Sequence, residues 1–518
     1  MSAGVLVRRT PRGATALRGR VWRPTPYQVA GFLFWLVMSL AYWRVPLCCD
    51  AGQHAAVVER LKDDLLHPRH PTADLPGAGS PYYSPYAVAQ GAFARLTGLS
   101  GWEAVRLAGP LNLLVLLTGL NRFVRVLTPR PWAPVLALAA MTLLWGVERA
   151  WWSGYLGLMS MTGTLPYPSA FAIGLTFWAW AWTGARARAG RPVRFVGPSG
   201  LPGLAGYAGL GALYGLILLI HPITSVAAVL GGLALAAGWQ RGWKPVVAAR
   251  WVLAGGTALL VGAVWPHFDV FALTGDTSVD AMHRRLYGDL AGQFGLALIG
   301  LPALWLRARR VSWRDPLVLL FLLEVAVVAY GWLSGHYTYG RILGLTLVPL
   351  QFALAVELAA PRPWPVWRRV LAAVAAAGAC AGFLTVQAGA VVPRSLDPVG
   401  FAQPPNWPSY DWAARHIRRG EVVITDGYWA VHAIAGYGAN LAAPTWPDAA
   451  VDERERLRRV ADVRTYLDPA STAAERTAIA RRHDVRWLLL TRWRQVPEEA
   501  VVVAWSRRTG EVLARLPG

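Results

Sequence analysis

About eleven apolar runs divide most of this 518-residue chain, at approximately 27–47, 104–121, 131–149, 167–184, 204–220, 223–239, 249–266, 290–306, 315–333, 342–359 and 370–392. A helix needs roughly 20 apolar residues to cross a bilayer core. Inside lipid every backbone N–H and C=O must find its partner within the protein, so runs of this length constrain the chain to a bundle of membrane-spanning helices. Composition agrees: 55% of residues are hydrophobic and 15% charged, with mean hydropathy +0.34. A soluble globular protein carries about 25% charged residues, so a purely soluble or disordered chain is excluded.

The net charge of +22 comes from 51 Lys+Arg against 29 Asp+Glu, with Lys62 and Lys244 the only lysines. That arginine bias, with abundant Ala and Gly, points to a GC-rich bacterial genome. Such an excess fits nucleic acid, acidic lipid or the inner loops of a membrane protein. Placing the N-terminus inside and alternating the spans puts 23 of the 33 basic residues before residue 393 on the inner side, so that every second loop is basic. Eleven acids collect in the outer loops. The charge is thus a topology signal, and no nucleic-acid module is expected. The stretch Tyr82–Leu99, interrupted by Pro85, Gln90 and Arg95, must then be a surface helix, since counting it as a span would break the alternation.

The expected architecture is mainly α: a polytopic bundle of about 11 spans, multi-pass in the cytoplasmic (plasma) membrane, N-terminus in and C-terminus out. Residues 1–26 form a basic cytoplasmic segment, 27–392 the transmembrane domain with a first outer loop at 48–101, and 393–518 an extracytoplasmic α/β domain. The first span lacks a small-residue cleavage site and reads as a retained anchor. Around Pro192–Gly203 a Pro/Gly-rich stretch reads as a flexible inner connector. In the C-terminal region Tyr410–Arg419 and Asp452–Leu467 read as helices, Glu421–Thr425, Val485–Leu490 and Ala500–Trp505 as strands, and Thr472 with Glu475 as a capping box.

Ionisable side chains gather at the outer ends of the spans: Asp50 and His54, Glu148 and Arg149, His221, His267 and Asp269, then His336, Tyr337, Tyr339 and Arg341. Polar groups are costly in a membrane domain, so this clustering suggests one outward-facing cavity. Each alone also fits a side chain that snorkels to water. Asp50 is the leading candidate for a base that takes a proton from a hydroxyl, and it is equally placed to cap the helix Gly52–Leu66. Arg341 is suited to an anionic group, with Arg106 and Arg44 as alternatives, or to pairing with lipid headgroups. Glu324, near the centre of its span, fits a proton path or a buried structural acid. Gly211 and Gly215 form a GxxxG spacing for close helix packing. Cys48, Cys49 and Cys380 make no disulfide framework, and the adjacent pair is poorly placed to bond. P-loop, GxGxxG, HExxH and CxxC patterns are missing from the sequence, which argues against a nucleotide-driven pump.

The order of these features resembles the GT-C superfamily of polytopic membrane glycosyltransferases, which includes protein mannosyltransferases, aminoarabinose transferases and mycobacterial arabinosyltransferases. The likeness rests on Cys49-Asp50-Ala51-Gly52-Gln53-His54, on Ser80-Pro81-Tyr82-Tyr83-Ser84-Pro85-Tyr86, and on Gly98-Leu99-Ser100-Gly101-Trp102-Glu103-Ala104-Val105-Arg106-Leu107. It covers roughly residues 27–130, and beyond them only topology agrees. The resemblance implies an inverting transfer of a sugar from a polyprenyl-phosphate donor to an extracytoplasmic glycan, lipid or protein. It implies that Asp50 is the catalytic acidic residue and Glu148 a second outer-loop acid. Arg341, His336 and Arg106 are then expected at the donor phosphate, and His54, Tyr82, Tyr83, His267, Asp269 and Tyr339 around the substrates. Many members carry two adjacent acids where this chain has Asp50 followed by Ala51, which argues against a metal at that motif. Elsewhere a divalent cation stays open. A lipid-linked-sugar transporter or flippase, and a glycan-binding membrane scaffold, are the competing readings.

Overall fold

The computed structural model describes residues 24–75, 79–189 and 203–517. Most of the basic N-terminal segment and of the 192–203 connector lies outside them. A helix follows each apolar run. Among the described residues, seven are long and apolar enough to cross a membrane, and Ala133–Leu143 and Leu204–Ile220 are shorter apolar helices.

The apolar faces of several helices point outward, the reverse of a soluble protein. Helix α1 (Pro26–Arg44), started by a Thr25–Gln28 capping box with Pro26 behind it, exposes Phe32, Leu33 and Leu40. Pro245–Ala263 exposes Val252, Leu259 and Leu260. Apolar faces of this extent on helices of spanning length fit a solvent that is itself apolar, and the chain is a multi-pass membrane protein. Tyr337–Leu358 is by contrast the helical segment at the centre of the bundle, 83% buried. Phe352 there packs with Phe123 and Phe177, which in turn pack with Trp180. The Gly211–Gly215 pair works as its spacing suggests: a Cβ at Gly211 would strike the Ala254 carbonyl, so Leu204–Ile220 lies directly on Pro245–Ala263.

The first long loop, expected on the outer side, holds α2 (Ala51–Asp63) and α3 (Pro85–Thr97). Thirteen residues span about 20 Å, short of the roughly 30 Å of a hydrocarbon core, so α3 is no span. Ser84 caps it and Gly98, at φ +77, ends it. Gly91 brings it against Leu61 of α2, and helix α4 (Gly101–Leu127) starts where Gly101 touches the Ala55 carbonyl.

Two expectations are corrected. The run 131–149 is helical only over Ala133–Leu143. The chain then continues irregularly across Leu290–Arg310, with Val147 and Glu148 N–H donating to Gly292 O and Leu296 N–H to Trp145 O. A second segment thus takes over the hydrogen bonds that the helix gives up. Tyr410–Arg419 forms only a short helix, Asp411–Ala414.

The C-terminal region is a five-stranded mixed sheet, β2-β1-β3-β5-β4, of Val422–Thr425 (β1), Asn440–Leu441 (β2), Val485–Leu490 (β3), Val501–Trp505 (β4) and Val512–Arg515 (β5). Alternate residues feed two cores. Val423, Trp487 and Leu489 pack on one face with Tyr410 and Ile434, while Val422, Ile424, Leu488 and Leu490 pack on the other with Tyr466 and Ile479. Helices Glu453–Leu467 and Ala473–Arg482 follow their Asp452 and Thr472 caps.

This sheet is fastened to the first outer loop. Leu441 N–H donates to Thr72 O, and Ala73 bridges Leu441 in parallel register. Arg60 binds Asn440 Oδ1 and Ala439 O. Ser80 Oγ donates to Asp448 at 2.7 Å, with His70 Nε2 3.4 Å from the same carboxylate. Arg419 pairs with Glu59 at 2.7 Å and Asp63 at 3.1 Å.

Candidate functional site

The chain leaves α1 at Val45 and turns into α2 through Cys48, Cys49 and Asp50. Asp50 stands at the N-cap position of α2, yet its carboxylate makes no capping hydrogen bond. Of the two roles its position allows, capping is the one the fold leaves unused. Burial raises its pKa above the ordinary aspartate value, while the guanidinium groups of Arg341 and Arg285 and the Trp446 indole N–H pull in the opposite direction. That N–H is buried without another partner.

Arg341 faces this carboxylate from the turn before Leu343. Its Nη2 donates to Ser153 Oγ and lies against His221 Nε2, each at 3.0 Å. Arginine only donates, so His221 Nε2 accepts and the ring is neutral, with Nδ1–H given to Thr224 Oγ1 at 2.7 Å. The Arg341 Nε is buried with no partner, as is the Tyr155 hydroxyl near it. Buried polar groups are ordinarily satisfied, so two unanswered donors beside an uncapped carboxylate mark a place for a ligand.

Aromatic and imidazole rings surround the pair. His54 lies 4.9 Å from Tyr167 and 5.9 Å from Tyr82, ring to ring, and burial lowers its pKa to about 4, so it is neutral. Arg285 lies over the Trp152 ring at 4.5 Å. His283 donates to or accepts from Thr338 Oγ1 at 2.9 Å. Burial first, then Arg341, lowers its pKa to about 3.

The structure brings Asp50, His54, Tyr82 and Arg341 together among the residues named from sequence. His336 is turned to Asp280, 3.3 Å away, whose other oxygen accepts from Thr338. Tyr339 is half-buried against Tyr330. Arg106 reaches back to Trp43 O at 2.5 Å and over the Trp43 ring. It lines a separate cavity of about 750 Å³ between α2, the start of α4 and the C-terminal region, bounded also by Cys49, Trp102, Trp407 and Tyr437. Glu148 is exposed, its backbone tied to Gly292. Tyr83 is fully buried, with its hydroxyl on Arg69 O, and His267 packs beside it and Trp265. Asp269 caps the turn Val270–Leu273.

Sequence reasoning passed over Arg285, Ser153, Tyr155, Tyr167 and Trp446. Of these only Arg285 carried a signal, as a basic residue in an outer loop, while the others reach the site through irregular chain and domain docking. Among the described residues no cluster of three or more His, Cys, Asp or Glu is assembled for a metal ion.

The fold as a whole, a spanning bundle with a long first loop and a sheet-bearing C-terminal region docked over it, matches that of the GT-C membrane glycosyltransferases. Solved structures of that fold superpose on nearly the whole chain. The arabinofuranosyltransferase AftD from Mycobacteria aligns at TM-score 0.56 and 14% identity, over 95% of this chain and 40% of its own. ArnT from Cupriavidus metallidurans aligns at 0.51 and 14%, over 94% of this chain and 97% of its own. An Archaeoglobus fulgidus oligosaccharyltransferase aligns at 0.52 and 10%, over 90% and 69%. No family profile and no curated protein matches the sequence.

Proposed function

We propose that the protein transfers a sugar from a polyprenyl-phosphate donor to an acceptor hydroxyl on the outer side of the cytoplasmic membrane, by single displacement with inversion. The observation that carries this reading is the uncapped Asp50 carboxylate opposite Arg341, whose Nε has no protein partner. Asp50, with its pKa raised by burial, takes the proton of the acceptor hydroxyl as that oxygen attacks the anomeric carbon. The bond from that carbon to the donor phosphate breaks, and the lipid phosphate leaves into the guanidinium of Arg341. His54, His221 and His283 serve as neutral walls, so the positive charge stays concentrated on Arg341 and Arg285. The donor set around Asp50 is cationic and aromatic and does not fit a divalent cation, so chelators leave the reaction unchanged on this reading.

The test is transfer from a panel of polyprenyl-phosphate sugars to glycan, lipid and protein acceptors, wild type beside Asp50→Asn. Transfer that requires Asp50 supports the proposal. Equal transfer by the variant, or none by the wild type with any donor, overturns it. A reporter fused after Gly518 tests the outer placement of the C-terminal sheet.

A further inference from the structure

The corner that presents Asp50 holds two of the three cysteines side by side. Successive side chains of an extended chain point to opposite sides, which is why neighbouring cysteines ordinarily diverge. Here the chain is folded into a turn. Ala51 N–H donates to Cys48 O at 3.0 Å, and the Tyr167 hydroxyl donates to the same oxygen at 2.6 Å. Cys49 takes φ +58, in the left-handed region that residues other than glycine seldom enter. That rotation swings its side chain back onto Cys48, and the two Sγ atoms lie 2.6 Å apart. A covalent S–S bond is about 2.05 Å long, so closure needs only a small movement of the two thiols. Both are free in the structure.

Their surroundings differ. Cys48 is 1% exposed, and its sulfur sits under Gly163, where an added Cβ would be 3.5 Å away. Both cysteines line the cavity of about 750 Å³ that runs to Trp102 and Tyr437, and half-buried Cys49 is the more exposed of the two. The bond to Cys49 and its own burial push the Cys48 thiol well up, whereas Cys49 is the sulfur that a reagent in the cavity meets first.

We propose that Cys48 and Cys49 form a redox site, an adjacent dithiol that a disulfide oxidant closes into a ring one residue before Asp50. The Cys49 thiolate attacks one sulfur of the oxidant, expelling the other as a thiolate and leaving a mixed disulfide. Cys48 then gives up its proton and attacks Cys49 Sγ, expelling the second thiolate. Two electrons pass to the oxidant, whose sulfurs leave as two thiols carrying the two protons. The product locks the turn from which Asp50 projects. A thiol-based reductant reverses the exchange.

The experiment treats purified full-length protein with glutathione disulfide, counts free thiols after denaturation, and maps the modified peptides by mass spectrometry. The expected count falls from three to one, with Cys380 remaining and the peptide bearing Cys48 and Cys49 lighter by two hydrogens. Dithiothreitol restores all three. Cys49→Ser keeps its two thiols through the same treatment. Three thiols after oxidation, separate glutathione adducts on the two cysteines, or a cross-link to a second chain would each overturn the proposal. The wild-type peptide map decides the matter even where Cys49→Ser folds poorly. None of these readouts depends on sugar transfer, so the redox site stands or falls apart from the proposed activity.

Discussion

Two regions of this molecule gather acidic side chains and differ in what answers them. In the seam between the long first loop and the C-terminal sheet, each carboxylate has a partner across it: Asp448 meets Ser80 and His70, and Glu59 and Asp63 meet Arg419, while Arg60 reaches Asn440 and keeps only its Nε unpartnered. Around Asp50 the same residue types are left open. The carboxylate caps nothing, and Arg341 Nε, Tyr155 and Trp446 keep buried polar atoms without partners. Unpaired buried polar groups each cost about 1–3 kcal/mol, and those gathered beside the uncapped Asp50 carboxylate suit a ligand that completes them. The contrast separates the groups that hold the loop from those that act on a substrate.

The sharpest way to break this division is Asp50→Asn. Transfer is expected to fall by about 10²- to 10⁴-fold, the usual share of a general base, measured as initial rate with a fixed polyprenyl-phosphate sugar. Stability should move the other way. The folded pKa of Asp50 lies above its unfolded value. Its contribution is therefore fully present below the unfolded pKa and is lost as pH rises through the folded one. At neutral pH the charged carboxylate costs stability, so Asp50→Asn should raise the unfolding temperature there, with the gain shrinking in acid. A variant that loses both activity and stability would make Asp50 a structural residue of the seam type.

Arg341→Lys should lower kcat/KM by about 10²- to 10³-fold, within the range for removing one charge-stabilising donor. It keeps the charge and loses the planar fork that meets a phosphate. Near-normal turnover would place the donor phosphate elsewhere, with Arg285 the next residue to test. The rate itself should fall as the medium is acidified through the raised pKa of Asp50 and flatten above it. A profile that is flat on the acid side would remove Asp50 from the proton transfer.

On the seam the expected effects are smaller and appear in stability. Asp448→Ala strands Ser80 and His70, both essentially buried, and should cost about 1–3 kcal/mol in unfolding with kcat little changed. Arg419→Ala removes a half-exposed partner of Glu59 and should cost no more than about 1 kcal/mol. A large fall in kcat for either would show that the two regions are coupled.

How much of this could be read from the chain follows from how local each feature is. The helices were legible because apolar length alone sets them, and strands β1, β3 and β4 because their runs and caps are contiguous in sequence. Strand β5 and the two-residue β2 were not, since each is defined by its neighbours in the sheet. The early end of the helix Ala133–Leu143 was hidden because the hydrogen bonds that replace its last turns come from Gly292 and Leu296, far along the chain. Asp50 and Arg341 were legible as charges at helix ends, where such groups are conspicuous. Trp446 and Tyr155 were not, since only docking and irregular chain bring them to Asp50. The close approach of the two adjacent cysteines, both free, was not legible for a backbone reason, the positive φ at Cys49, which no residue type announces.

The contact between Thr72 and Leu441 also sets an order of events during biogenesis. The loop that bears Asp50 is made early, but the strand that braces it and the indole that faces it belong to a stretch synthesised more than three hundred residues later. Contacts so distant along the chain form last. A ribosome-bound intermediate therefore carries an unbraced first loop, and the site becomes competent only once the sheet region has been made and folds back onto that loop.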